Sequence, residues 1–245
     1  MSSKSIIDDI YEVLESQRKS ETYAYVSERN AREFFAPRRK FAPETSLPES
    51  SPAHAVADLT TCTLDELRLI AGSCTVCALC ENRKNAVFGE GNPDAELMFI
   101  GEFPSEEDDI QGRPFAGEDG VLLTKMISAM QFDRQEVFIC NVVKCHPPGK
   151  RNPSPEEAAA CMPYLKRQIE LVKPKVIVLL GAMPLQCLLG QRGISRFRGQ
   201  WQEYNGIPVM PTFHPAYLLR FEAEKKPAWQ DLQKVMKVFG KIHSK

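Results

Sequence analysis

Residues 155–181 read PEEAAACMPYLKRQIELVKPKVIVLLG. Pro155–Val172 is predicted to be a long helix with proline in its first turn, where the missing amide would have had no intrahelical partner. Lys175–Gly181 is apolar and β-branched and stops at a glycine, the pattern of a buried strand. The same alternation extends outward. Upstream, Glu96–Gly101 and Val137–Val143 predict strands, with a helix over Leu122–Met130 between them. Downstream, Pro184–Leu189 predicts a helix, Ile207–Phe213 a fourth strand and Ala228–Phe239 a closing helix. Alternating strands and helices build an α/β domain, here three layers, α/β/α, around a central, mostly parallel four-stranded sheet. Such sheets bind ligands outside the carboxyl ends of their strands. Those ends carry Gly101 and Glu102, Asn141, Gly181 and His214.

The region before this domain reads differently. Ile6, Ile7, Ile10, Tyr11 and Leu14 recur at helical spacing, with Asp8, Asp9, Glu12 and Glu15 on the other face. This short amphipathic helix either packs on its own domain or docks a partner protein. A second weakly helical stretch lies near Ser27–Phe35, and Pro37–Pro52 is rich in proline and serine, as a linker is. The expected division is a helical appendage over 1–36, a linker over 37–58 and the α/β domain over 59–245. Thr63 and Glu66 have the spacing of a capping box, which opens a short helix to about Ala71.

Composition excludes several classes. The chain is 26% charged and 43% apolar with a net charge of −1, so it is globular and has no overall basic signature for nucleic acid. Residues 1–73 carry a net −3 and the rest a net +2, a split too small to support more than local basic patches. The longest apolar run, Val176–Leu180, is too short to span a bilayer, and no signal peptide is recognisable, so a cytoplasmic protein without membrane contact is expected. In that compartment the eight cysteines are poor candidates for a disulfide framework. Three of them fall within Cys74–Cys80, a clustering that suggests a metal or an iron–sulfur centre.

Three segments hold the residue types of a reaction centre. The first is GEFPSEEDD at Gly101–Asp109, continued by GRPFAGEDGVLL at Gly112–Leu123. It places an acid directly after a buried strand and a single Phe in a Pro/Gly loop. The second is Asn141 within Ile139–Cys145, and the third is HPAYLLR at His214–Arg220. Each alone is compatible with a structural role. A strand-end carboxylate is exposed and structural about as often as not, and a lone histidine is more often a satisfied structural residue than a catalytic one.

Together, in this order, they resemble the uracil-DNA glycosylase superfamily, and within it the iron–sulfur-containing family 4 of bacteria and archaea. That family's motifs run roughly GExPGxxED…GxPFVGxAGxLL and HPAxLLR, and the likeness covers about Thr63 to Phe239. The resemblance implies a uracil-DNA glycosylase-like fold and a bacterial, nucleoid-associated monomer. Its activity would be hydrolysis of the N-glycosidic bond of uracil in single- or double-stranded DNA. It implies Glu102 and His214 as catalytic residues. Phe115, Asn141, Gly101 and Pro104 would bind uracil, and Leu218, Leu219, Arg220, Lys144 and Arg151 would contact DNA. The cluster ligands fall on Cys74, Cys77, Cys145 and Cys161, which suit a [4Fe–4S] cluster. Four cysteines also suit zinc, and spacing does not separate the two. Cys80 is a spare thiol nearby, while Cys62, Cys140 and Cys187 read as non-ligands. The role implied for the cluster is structural, shaping Lys144, Lys150 and Arg151 for phosphate contact. Arg192, Arg196 and Arg198 divide evenly between DNA contact and a solvated face.

The chain departs from the family pattern at Phe103, Ser105, Asp108, Ala116 and Asp119. Phe103 is expected to narrow the pocket, and Ser105 to strain the backbone if that site needs a positive φ. A second reading follows: a glycosylase-like protein that binds DNA or uracil with reduced catalysis.

Overall fold

The computed structural model describes residues 59–241. The helices expected near 4–16 and 27–35, the linker over 37–52 and the boundaries drawn within 1–58 lie outside the described residues.

Thr63 opens helix α1 (Leu64–Gly72) with the expected reciprocal capping box to Glu66. The sheet follows. Strands β1 (Glu90–Gly91), β2 (Leu97–Gly101), β3 (Phe138–Asn141), β4 (Val176–Leu180), β5 (Gln202–Tyr204) and β6 (Ile207–Thr212) lie in the order β1-β3-β2-β4-β6-β5. The central four, β3-β2-β4-β6, are parallel as expected. The sheet has six strands, not four, because a short antiparallel strand closes each edge. β1 has two residues and β5 three, too few to show an alternation. The β5–β6 hairpin did carry a local signal: Asn205 and Gly206, both at positive φ (50° and 82°), form the two-residue turn that antiparallel strands favour.

Helices α2 (Glu106–Gln111) and α3 (Glu118–Ala129) connect β2 to β3, and α4 (Pro155–Val172) connects β3 to β4. Then come α5 (Ala182–Leu189), α6 (Ile194–Phe197), α7 (Pro215–Arg220) and α8 (Lys225–Val238). The bounds of α4 agree with the sequence reading because both ends are marked: Ser154 forms a capping box with Glu157, and Lys173 closes the helix in the left-handed conformation.

Alternate residues of each central strand bury on opposite faces. Met98, Ile100, Ile177 and Leu179 meet Leu165 and Ile169 of α4 and Leu185 of α5. Leu97, Phe99, Val176 and Val178 meet Leu123 and Ile127 of α3 and Leu232 and Val235 of α8. This two-sided burial explains why the strands read as continuous apolar runs. The chain turns to opposite sides of β2 to form β3 and β4, so the carboxyl ends of β2 and β4 flank the switch point of the sheet, where this architecture opens a crevice.

Candidate active site

The switch point brings two expected residues together. Glu102 follows β2 and Gly181 follows β4. The Glu102 carboxylate turns onto the start of α5, where its Oε1 accepts from the backbone N–H of Ala182 (3.0 Å) and of Met183 (3.2 Å). Gly181 has φ 101°, and a Cβ there would lie 2.4 Å from that oxygen, so only glycine admits the carboxylate. Burial raises the Glu102 pKa, and the two amides partly offset this.

A second convergence lies between β2 and β3. Asn141, the last residue of β3, is 1% exposed, and its side-chain oxygen has no hydrogen-bond partner among the described residues. The Phe115 ring packs beside it. A Cβ on Gly101 would come within 2.3 Å of Asn141 Oδ1 and 2.6 Å of Phe115 Cζ, so the glycine at the end of β2 leaves room for both. Phe115 has φ 52°, a costly conformation for an aromatic residue, and three contacts enforce it. Gly120 packs so tightly that a Cβ would sit 1.7 Å from the Phe115 carbonyl oxygen. The Arg134 guanidinium donates to the Pro114 and Phe115 carbonyls at 2.9 and 3.3 Å. Asp108 accepts from the Ala116 amide at 2.7 Å.

His214 caps α7, which places its ring against this group. The ring stacks on Phe115 with centroids 5.4 Å apart and planes 27° from parallel. Its Nδ1 accepts from the Ala216 amide at 3.2 Å, which puts the proton of the neutral ring on Nε2. Burial lowers the His214 pKa to about 4, so the ring is neutral at physiological pH. The carboxyl end of the sheet therefore carries a carboxylate, an amide oxygen unpartnered among the described residues, an aromatic ring and a neutral imidazole donor.

A profile of the uracil DNA glycosylase superfamily matches residues 88–233. The type-4 uracil-DNA glycosylase of Thermotoga maritima is 49% identical over 150 residues, 60% of this chain and 78% of that protein. Its counterpart from Saccharolobus solfataricus is 43% identical over 185 residues, 70% and 86% of the two chains. That from Archaeoglobus fulgidus is 37% identical over 187 residues, 73% and 94%. The chain belongs to the uracil DNA glycosylase superfamily.

The departures from the glycosylase motif have local explanations. Ser105 lies at φ −71°, ψ 171° and is the N-cap of α2, with Asp108 completing a capping box. No positive φ is needed there, so the strain expected at Ser105 is absent. Phe103 packs into the cluster on the opposite side of the sheet from Phe115. Pro104 is held through its carbonyl, which accepts from His146 Nδ1 at 2.8 Å. His146 and Arg134 support the glycosylase loop and were missed in the sequence, since neither stands in a motif that names a partner.

Two expected DNA contacts are corrected. Lys144 is 2% exposed and its ammonium is engaged inside the protein, so it does not reach a phosphate. Leu218 is 1% exposed in a cluster with Phe213 and Ala228, whereas Leu219 is 39% exposed; of the pair, only Leu219 is free to enter a base stack. Arg220 is exposed. Arg151 is partly exposed but its guanidinium is paired in two hydrogen bonds of 2.7 Å with Glu157. Arg198 is also structural: it bonds Asp231 at 2.7 Å, which in turn accepts from Thr212.

The four expected ligand cysteines meet. Cys74, Cys77, Cys145 and Cys161 line one small cavity with Cys80, Arg83, Lys144 and Tyr164. Arg83 donates to Cys145 Sγ at 3.1 Å and to the Gly72 carbonyl at 2.8 Å, an anchor that no motif announced. Burial pushes the Cys161 thiol up to about 12, so it becomes a thiolate only when a cation sits beside it. Among the described residues, no three His, Cys, Asp or Glu side chains gather closely enough to hold a single ion. Cys62 and Cys140 are buried and Cys187 half-buried, outside the cavity. Among the described residues no helix is long and apolar enough to cross a membrane.

Proposed function

We propose that this chain is a monofunctional uracil-DNA glycosylase that hydrolyses the N-glycosidic bond of uracil, releases the free base and leaves an abasic site, the opening step of base excision repair. The observation that carries the reading is the buried, unpartnered Asn141 oxygen beside the Phe115 ring and the His214 donor. A buried acceptor left empty costs about 1–3 kcal/mol, so its presence points to a ligand that fills it. The uracil N3–H donates to Asn141 Oδ1, and the Asn141 amide donates to uracil O4. Cytosine offers an acceptor at N3 and a donor at C4, so both bonds fail. The base reaches this depth only when flipped from the duplex or presented in single-stranded DNA.

As the glycosidic bond breaks, negative charge grows on the base and positive charge on the sugar. His214 donates from Nε2 to uracil O2 and stabilises the departing anion without itself changing protonation state. Glu102 Oε1 is occupied by two backbone amides, and Oε2 is assigned to the attacking water and the cationic sugar. Leu219 enters the vacated stack and Arg220 grips phosphate.

The thiol cavity fits a [4Fe–4S] cluster held by Cys74, Cys77, Cys145 and Cys161. Four thiols that line one cavity are the donor set of such a cluster, in which each thiolate would hold a separate iron. When bound, it supplies a covalent tie between the α1 side and the start of α4 and takes no part in the bond cleavage.

Alkali treatment of a uracil-containing oligonucleotide after incubation with the protein tests the activity. Strand cleavage at the uracil supports the enzyme. Retarded mobility without cleavage would favour the binding protein, a reading that keeps less motive at Ser105, which caps a helix without strain. Base reading has its own test. Asn141→Asp removes the donor to O4 and places a charge on a buried acceptor. We expect uracil excision to fall by at least tenfold, about 1.4 kcal/mol or more; a wild-type rate would show that Asn141 does not read the base. The domain proposal, a catalytic unit over 59–245, predicts that a chain starting at Ala53 retains its iron and excises uracil at a comparable rate. Loss of solubility in that shorter chain would mean that the Ile6, Ile10 and Leu14 face packs on the catalytic unit.

A further inference from the structure

We propose that Lys144 is a positioning residue of this site: its buried ammonium holds the Asn141 peptide from behind and ties base reading to the thiol cavity. The inference rests on the glycosylase reading for what Asn141 recognises. The geometry is independent of it. Lys144 Nζ donates to the Asn141 backbone carbonyl at 2.6 Å and to Gln168 Oε1 at 2.6 Å. Gln168 is fully buried on α4, and its Nε2 donates to the Phe88 carbonyl at 2.8 Å. The Lys144 backbone is itself pinned, its carbonyl accepting from the Val87 amide at 2.7 Å.

The other end of the residue faces sulfur. Lys144 lines the thiol cavity together with Cys74, Cys77 and Cys161, and Cys145 is its neighbour in sequence. Among the described residues no carboxylate pairs with Lys144. Lys144 thus joins the ligand loop to the end of β3 through one rigid side chain. An amide reads a base edge only when its plane is fixed, and a displacement of the Asn141 peptide beyond about 0.5 Å would weaken both hydrogen bonds.

The test is the preference for binding a uracil-containing over a matched cytosine-containing oligonucleotide, together with KM, kcat and iron per chain. Binding is measured in a His214→Ala background so that the substrate persists. Lys144→Met keeps the length of the side chain and removes its donors. It is expected to lower the preference about tenfold and raise KM by the same factor, with kcat nearly unchanged, because contacts made equally in ground and transition states act on KM. Added to Asn141→Ala, it is expected to change the preference no further, since it acts through that residue. Gln168→Met, which leaves the bond to Asn141 but frees the ammonium on one side, is expected to lower the preference by a few-fold. Should Lys144→Met fail to fold, Gln168→Met decides alone, and an unchanged preference there overturns the proposal. So does a Lys144→Met protein with lower kcat and iron content but unaltered preference, which would be a purely structural role. Failure of the glycosylase reading looks different: the wild-type chain itself would release no uracil.

Discussion

His214→Ala is expected to slow uracil excision by about 10²–10³-fold, the typical loss when one preorganised donor to a developing anion is removed. The loss should fall on the single-turnover rate, with little change in DNA affinity, which comes mainly from phosphate contacts. The ring has one arrangement available. Its Nδ1 is taken by the Ala216 amide, Phe115 stacks on its face, and Nε2 is left to donate. With a pKa near 4 the ring stays neutral through the working range, so His214 contributes no acidic limb near the ordinary histidine value. Any acidic limb in the rate belongs to Glu102, whose burial moves it above the usual carboxylate range, and activity is lost as pH falls through that value. Glu102→Gln keeps the acceptor for the Ala182 and Met183 amides, and should remove that limb while slowing the chemistry. The His214 shift also carries a stability consequence. The folded pKa lies below the unfolded one, so its contribution is complete above about pH 6.5 and is lost as pH falls toward 4. His214→Ala should flatten this part of the stability profile. If His214→Ala and Glu102→Gln both excise uracil within a few-fold of wild type, the chemistry is carried elsewhere.

The second large effect concerns the thiols. Protein purified without oxygen is expected to be yellow-brown, to absorb broadly near ~400 nm and to carry about four irons per chain. Cys161→Ser or Cys74→Ser should release the metal, whereas Cys187→Ser, outside the cavity, should retain it. The Cys161 variant is expected to be the more damaging, because Cys161 is buried in the same core as Leu165 and Ile169, and its loss empties a ligand and leaves a polar hydroxyl among apolar side chains. One zinc per chain and no iron would overturn the iron–sulfur assignment.

How much was legible beforehand depends on how local each signal is. Pro155–Val172 and the four central strands could be read because capping, apolar runs and terminal glycines lie within a few residues of what they control. The same holds for Gly101, Glu102, Asn141, Gly181 and His214, which topology alone assigns to one end of a parallel sheet. The edge strands were not legible, because two or three residues carry no periodicity and take their pairing from β3 and β6. Arg134, His146 and Arg83 were not legible either. Each completes a loop through carbonyl or sulfur partners 20 to 62 residues away.

The sequence by itself determined the α/β architecture and the end of the sheet where chemistry belongs, since both follow from local patterns and the order of elements, whereas the set of four thiols came only with the resemblance to the glycosylase family. Only the tertiary structure decided what each charged or apolar side chain does. Lys144, which reads as a phosphate contact, is buried behind Asn141, and of two adjacent leucines Leu218 packs inward while Leu219 faces solvent. Ser105, which reads as a defect in the motif, caps a helix. The physical reason is common to all of them: a side chain's partners are set by which elements fold against it, and burial can turn the same lysine from a surface charge into an internal strut.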